Sequence, residues 1–590
     1  MIDRQFIRAM LAATLLFATR AACLHAADDP ASQLNTLLEE SWQFTLTEDP
    51  LFATHAGDAR FNDRLPRETL ADQARRNQHE RDVLKRLEAI PRDKLSRPEQ
   101  VNYDIFRRQR QDGISEFEFQ SYLMPITNRS GFHVSFPELP KHTPLLTLKD
   151  YENYVARLRA FKQFARDNIE LMREGVKQGF TTPAIVLEKV EDSIAPHVVE
   201  DPTRSLLFEP FANFPDSIGA EDRTRLIAEG KAAIAESVVP GYAELLKFIT
   251  KEYVPACRQQ IGASALPRGR EFYRYRVKHF TTLDIDPEQI HETGLAEVKR
   301  IKAEMQDVIK RVGFQGDFAA FVEHLRTDPK FYVDTPEQLM KETGLVLKRI
   351  DGELPKLFKT LPRTPYGIRE IPAFIAPRTT TAYYQPPAGD GTRAGFYYVN
   401  TYNLKSRPLF EIEALSLHEA VPGHHLQIAL QQELKGQPEF RRFAHPTAFV
   451  EGWGLYAESL GKEIGFYKDP HSDFGRLSYE MWRACRLVVD TGMHYLGWTR
   501  ERAIQFMADN TALTLHNIAA EVDRYISWPG QATAYKMGEL KIRALRTQAE
   551  QQLGEKFDVR QFHDVVLGSG AVPLDVLEEN VRGYVEALKQ

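Results

Sequence analysis

The sequence predicts a mainly α protein: a large helical body with a deep cleft and a small antiparallel β-sheet. Three observations carry this expectation. Apolar residues recur at helical spacing through most of the chain. Helix-capping signatures recur along it. Clear strand signals are confined to one stretch, Pro372–Asn400. With 27% charged and 43% hydrophobic residues over 590 positions, the composition is that of a globular chain with ample core. A formal net charge of −6, with no Lys/Arg block to reverse it, argues against nucleic-acid binding.

The N-terminus carries a targeting signal. Arg4 and Arg8 precede the apolar run Ala9–Ala18, and small residues lead on to Ala26-Ala27-Asp28. That order is a secretory signal, and the run is too short to span a membrane as a mature helix. Residues 1–26 are therefore expected to be removed. Cys23 is a lipid-attachment candidate, but Arg20 sits where such a site wants Leu. No later segment reaches roughly 18 unbroken apolar residues, so the mature protein is expected in a bacterial periplasm without stable membrane insertion. Cys257 and Cys485 alone remain after cleavage. They allow one bridge or two buried thiols, and no cysteine-based metal site.

The mature chain reads in order as follows. Ser32–Phe61 is helix then loop, with Leu34, Leu37, Leu38 and Trp42 at helical spacing. Ala71–Ile90 is a charged helix, and Phe117–Pro144, rich in aromatics and prolines, is irregular. Periodicity returns at Tyr151, Tyr154, Val155, Leu158, Phe161 and Ile169. Asp286-Pro287-Glu288-Gln289 and Thr335-Pro336-Glu337-Gln338 each place a capping residue, Pro at the first helical position and Gln at the third. Strands are expected at Pro372–Ile375 and Gly395–Asn400, with the intervening TTTAYYQPPAGDGTR supplying turns. No linker divides residues 27–590, which are expected to form one body with two lobes about the cleft.

The chemistry is concentrated in LSLHEAVPGHHLQ (Leu415–Gln427) and TAFVEGWGLYAESL (Thr447–Leu460). Two histidines four residues apart on a helix, with a Glu between them, hold zinc and supply a general base. Here Pro422 stands four residues after His418, and the next histidines are His424 and His425. On a regular helix, at about 100° per residue, His425 returns to the face of His418 but roughly 10 Å along the axis, while His424 points about 120° away. Pro422 removes an N–H and disfavours helix at Val421, so a kink or bulge is expected there. A bulge absorbing two residues would bring His424 to the second ligand position, and the choice between His424 and His425 stays open. Glu451 is the candidate third ligand. Glu458, seven residues on and on the same face, is an alternative ligand or a hydrogen-bond partner to a histidine. Glu419 is the candidate base.

HEAVPGHH, FVEGWGLYAE and the later RYISWPGQATAYKMGEL resemble the bacterial family catalogued as domain of unknown function 885. The resemblance extends over most of the mature chain, including EDPLFATHAGD and LPRGREFYRYRVKHFTTLDIDPEQI. That family is in turn similar to the helical gluzincin peptidases, among them thimet oligopeptidase, carboxypeptidase Taq and angiotensin-converting enzyme. In thimet-like enzymes a Gly-His ends the first motif and a Phe-Val-Glu segment gives the third ligand. Carried over, the resemblance implies Zn2+ held by His418, His424 and Glu451, with Glu419 as base. This chain departs from those relatives by two extra residues between the histidines, which leaves His425 in contention.

The resemblance also implies that Tyr535 stabilises the oxyanion, and that GFYYVN pairs with an extended substrate, with Asn400 as a polar contact. Arg524 is a candidate for a substrate carboxylate, with a structural salt bridge as its alternative. Arg486, Asp490 and His494 share a helix face as cleft lining or a buried polar network. The expected activity is zinc-dependent hydrolysis of peptide bonds in short peptides. The alternatives are an amidase or isopeptidase on modified or cell-wall peptides, and a non-catalytic exported metal- or peptide-binding protein.

Overall fold

The computed structural model describes residues 29–127, 129–373, 376, 380–388 and 393–589; the signal segment 1–26 lies outside them. The chain forms two compact units. One runs to Cys257 and takes in Pro438–Phe440; the other holds Arg258–Gln437 and Arg441–Gln590.

The first unit is helical throughout. Helix α1 (Pro30–Glu48) is capped by Asp29, whose carboxylate accepts from the Ser32 amide, and α2 (Leu70–Glu88) opens on a Thr69–Asp72 capping box. After α3 (Arg97–Glu118), the stretch predicted to be irregular is built from single helical turns. Helix α4 (Leu148–Gln178) buries Tyr151, Tyr154, Val155, Leu158, Phe161 and Ile169, the periodic residues of the sequence, and ends at Gly179 with φ of 79°. Helices α5 (Ala220–Ala233) and α6 (Val239–Phe248) are each followed by a π turn, and each π turn precedes a proline, Pro240 or Pro255. The wider turn keeps the proline ring off the carbonyl four residues back.

The second unit contains every predicted site residue. Helix α7 (Pro287–Val312) is capped by Asp286, and α8 (Pro336–Glu353) by the Thr335–Gln338 box. Three strands follow: β1 (Tyr366–Glu370), β2 (Ala382–Gln385) and β3 (Gly395–Val399), in the order β1-β3-β2. Strand β3 runs antiparallel to β2 and parallel to β1, so the sheet is mixed. The first strand lies earlier than predicted. The ladder ends where the Ile371 amide donates to Val399 O, because Pro372 has no N–H to extend it; Phe374 and Ile375 lie outside the described residues. Turn residues on both sides concealed β2 within the predicted turn.

The site is carried by α9 (Ile412–Glu419), α10 (His424–Glu433) and α11 (Thr447–Leu460). Beside them lie α12 (Pro470–His494), α13 (Leu515–Ser527) and α14 (Ala534–Leu553). Helix α12 is buried on nearly every side. Its polar residues therefore lie in the interior and need partners there. Lys536 of α14, fully buried, donates to Glu480 of α12 at 2.8 Å and pairs with Glu297 of α7 at 3.0 Å and Glu539 at 2.8 Å. Three helices are thereby locked through one ammonium. Cys257 and Cys485 are both buried and are not bonded to one another. No helix among the described residues is long and apolar enough to cross a membrane.

Candidate metal centre

Helix α9 stops at Glu419 and α10 begins at His424, so the two surplus residues sit in a link outside either helix. The Val421–Pro422 bond in that link is cis. Trp453 of α11, fully buried, donates its indole N–H to Pro422 O at 2.8 Å. At Gly423 an added Cβ would lie 1.9 Å from His418 O, so only glycine lets the link fold back onto α9. The consequence is local. The His418 and His424 rings come together at 4.6 Å between centroids, nearly perpendicular.

Glu451 faces both. Its Oε2 lies 3.6 Å from His418 Nε2 and 3.7 Å from His424 Nε2, and the three side chains offer ligand atoms within 4.8 Å of one another. His418 Nδ1 donates to Glu458 Oε1 at 2.8 Å, so in the neutral ring, the form that binds a metal, the lone pair is on Nε2, toward Glu451. Both ends of that bond are buried. The imidazole fits because residue 454 is glycine: a Cβ there would lie 2.8 Å from His418 Cε1 and 2.9 Å from Nε2. Solvent still reaches the group, with the Glu451 and His424 side chains 19% and 12% exposed.

The electrostatics favour a cation. Burial alone would lower the His418 pKa, but hydrogen bonds to Glu451 and Glu458 raise it to about 9. Burial, reinforced by the charge on His418, lowers His424 to about 3 and keeps its ring neutral. Against the upward pull of burial, the hydrogen bond and charge of His418, with His424, hold Glu451 down at about 2. Glu419, half-buried next to His418, is pushed up to about 7 by burial. Atoms bound to a tetrahedral zinc at about 2.0–2.1 Å lie roughly 3.3–3.4 Å apart. The observed 3.6 and 3.7 Å separations are within a few tenths of that. Two imidazoles and one carboxylate, with one imidazole anchored through its other nitrogen, are a zinc-compatible donor set.

His425 is turned elsewhere. Its Nε2 donates to Thr364 O at 3.1 Å and its Nδ1 accepts from the Tyr384 hydroxyl at 2.7 Å. Both ring nitrogens are engaged, and it fastens the sheet to α10. Burial lowers its pKa to about 4, in keeping with a neutral ring.

Tyr535, half-buried at the start of α14, has its ring 4.3 Å from the Arg486 guanidinium. Helix α14 is drawn against α11 at Gly538, where a Cβ would lie 1.8 Å from Ala448 O and 2.9 Å from Gly452 Cα, next to Glu451. Arg524 shares Glu521 with Arg486, at 3.0 and 3.1 Å, and Tyr525 donates to the same carboxylate at 2.8 Å. The geometry is that of the salt bridge foreseen as its alternative. Asp490 accepts from the Tyr273 hydroxyl at 2.5 Å and the Gly530 amide at 3.0 Å, while His494 bridges the Ala263 amide and Tyr525 O. These form a buried polar network.

Two substrate-facing expectations are corrected. Asn400 is fully buried. Its amide donates to Ala376 O and Thr380 O and its Oδ1 accepts from the Tyr402 amide, so it organises its own loop. Strand β3 is central in the sheet, with β1 and β2 on its two edges, and offers no edge to an extended peptide. Sequence reasoning also passed over Tyr384, Gly454 and Arg483. For Gly454 a signal existed, since it lies one turn after Glu451 on the ligand-bearing face.

The pattern of the family described as "Bacterial protein of unknown function (DUF885)" matches residues 50–581. The crystal structure of "the putative lipoprotein from Colwellia psychrerythraea" is similar, with a TM-score of 0.88 and 28% identity over 95% of this chain and 100% of that one. A "putative lipoprotein of unknown function from Shewanella oneidensis" shares the fold, with a TM-score of 0.69 and 17% identity over 93% and 99%. No curated protein matches.

Proposed function

The chain belongs to the DUF885 family of bacterial proteins, and from that premise and the geometry above we propose that it is a zinc-dependent peptidase acting on short peptides. One observation supports this most: His418, His424 and Glu451 converge around one point, with Glu419 next in sequence to a ligand. A zinc ion held there would supply a Lewis acid that polarises a scissile carbonyl and eases ionisation of water.

Glu419 takes a proton from the attacking water as the water oxygen bonds to the carbonyl carbon. It returns that proton to the amide nitrogen as the C–N bond breaks, which yields a carboxylic acid and an amine. Tyr535 donates its hydroxyl hydrogen bond to the carbonyl oxygen as negative charge builds there. Glu458 holds His418 in one tautomer throughout. An amidase or isopeptidase would use the same groups on a modified or cell-wall peptide. Export is part of the same proposal; the descriptions of both structural neighbours as lipoproteins support it and make Cys23 the residue to test for lipid.

The test is metal analysis together with peptide hydrolysis. Wild type is expected to bind one zinc and cleave short peptides, and Glu419→Gln to keep the zinc and lose cleavage. Full zinc content in His418→Ala, His424→Ala and Glu451→Ala alike would refute the site. A zinc-loaded wild type inactive on every peptide would leave a binding protein, a role in which Glu419 has no task.

A further inference from the structure

Three arginines of α12 lie buried in the second unit, and two are neutralised. Arg476 pairs with Asp473 and Glu480, both at 2.9 Å, and Arg486 pairs with Glu521. Arg483 has no ion pair among the described residues, although only 6% of its surface is exposed. One Nη donates to Tyr479 O at a long 3.4 Å, and Nε is buried without a partner. A charged group held this way is destabilising unless something else completes its hydrogen bonds.

The guanidinium is also held in place. It lies 4.8 Å from the Tyr479 ring and 4.5 Å from the Trp482 ring. Its setting places it beside the metal centre. Helix α12 packs on α9 and on the turn that leads into it: Gly475 abuts Phe410 O, where a Cβ would come within 2.1 Å, and the Tyr479 hydroxyl donates to Glu411 at 3.4 Å. Arg483 is one turn further on that face, along the half of α9 that ends in His418 and Glu419. One turn beyond, Arg486 carries the ring of Tyr535.

We propose that Arg483 anchors a carboxylate of the substrate, the free C-terminus of a short peptide, beside the reacting carbonyl. The proposal rests on the peptidase reading and narrows it to peptides carrying a free acid. A planar fork with unpaired N–H groups, packed against two rings, suits bidentate recognition of a carboxylate. Arg524, already bound to Glu521, has less to offer.

The probes are Ala-Ala-Ala, its C-terminal amide, and Ala-Ala-Glu amide. Their binding to the zinc-loaded, full-length Glu419→Gln protein is measured by calorimetry, and their hydrolysis with the wild type. The free acid is expected to bind at least about 10-fold more tightly than the amide. Arg483→Gln should lower its affinity about 10- to 100-fold and leave the amide unchanged. Arg483→Lys, which keeps the buried charge, should give an intermediate loss and serves if the Gln variant fails to fold. Affinity restored by Ala-Ala-Glu amide would assign the carboxylate to a side chain and overturn the C-terminal assignment. Equal binding of acid and amide, equal losses in Arg483→Gln, or no peptide binding would overturn the anchor. Arg483-dependent acid binding without wild-type turnover would sink the peptidase reading and leave the anchor standing; turnover indifferent to the acid would do the reverse.

Discussion

Gly454→Ala tests the metal centre at its tightest contact. The new methyl would sit 2.8 Å from His418 Cε1 and 2.9 Å from Nε2, against an ordinary contact of 3.4 Å or more. The imidazole must therefore move by about 0.6 Å. It is not free to rotate away, because Nδ1 is held by the buried carboxylate of Glu458 at 2.8 Å. Metal–ligand distances tolerate only about 0.2 Å, so the shift is roughly three times what the site can absorb. Stability should change far less. Replacing a mid-helix glycine with alanine gains about 0.5–1 kcal/mol, and overpacking costs about 1–3 kcal/mol. The expected outcome is a folded protein, destabilised by no more than about 2.5 kcal/mol, with zinc affinity reduced about 10- to 100-fold. Competition against a chromogenic chelator measures the affinity, and denaturant unfolding the stability. Zinc affinity unchanged in Gly454→Ala but abolished in His418→Ala would refute the tight-contact argument.

Other predictions follow from the same contacts. Glu458→Gln, which removes the charge oriented on His418 Nδ1, should weaken zinc about 10- to 100-fold with the fold intact by circular dichroism. His425→Ala should keep full zinc by metal analysis but lose about 1–3 kcal/mol of stability in denaturant unfolding, because it strands the Tyr384 hydroxyl and Thr364 O. Asp490 is pushed up by burial to about 7 from an ordinary 3.8. Between those values the folded state binds a proton that the unfolded state has released, so this residue's contribution is full below pH 4 and falls as pH rises to 7. Asp490→Asn should remove that decline, worth a few kcal/mol, in unfolding midpoints measured from pH 4 to 8.

Much of this was legible locally. The periodicity of α4, the capping residues of α7 and α8, and the break at Pro422 are properties of neighbouring residues, and each appears where predicted. The proximity of His418, His424 and Glu451 was readable from two short motifs. What the sequence left open depends on residues far from it. His424 and His425 were separated by Tyr384 and Thr364, which claim both nitrogens of His425 from tens of residues upstream. Strand β3 looked accessible because strand order is a tertiary property, and its neighbours turned out to lie on both edges. Arg483 could not be told from Arg476 or Arg486 until their carboxylates were placed.

The backbone contact of Gly538 with Ala448 and Gly452 has a consequence for biogenesis. All three candidate ligands precede residue 452, yet the helix that bears Glu451 has its glycine face covered only when α14 arrives near the end of the chain. During synthesis or export the ligands are thus present before their setting is. The packing of the Glu451 helix is complete only with the C-terminal helices, and a nascent or truncated chain holds the histidines before α14 covers that helix.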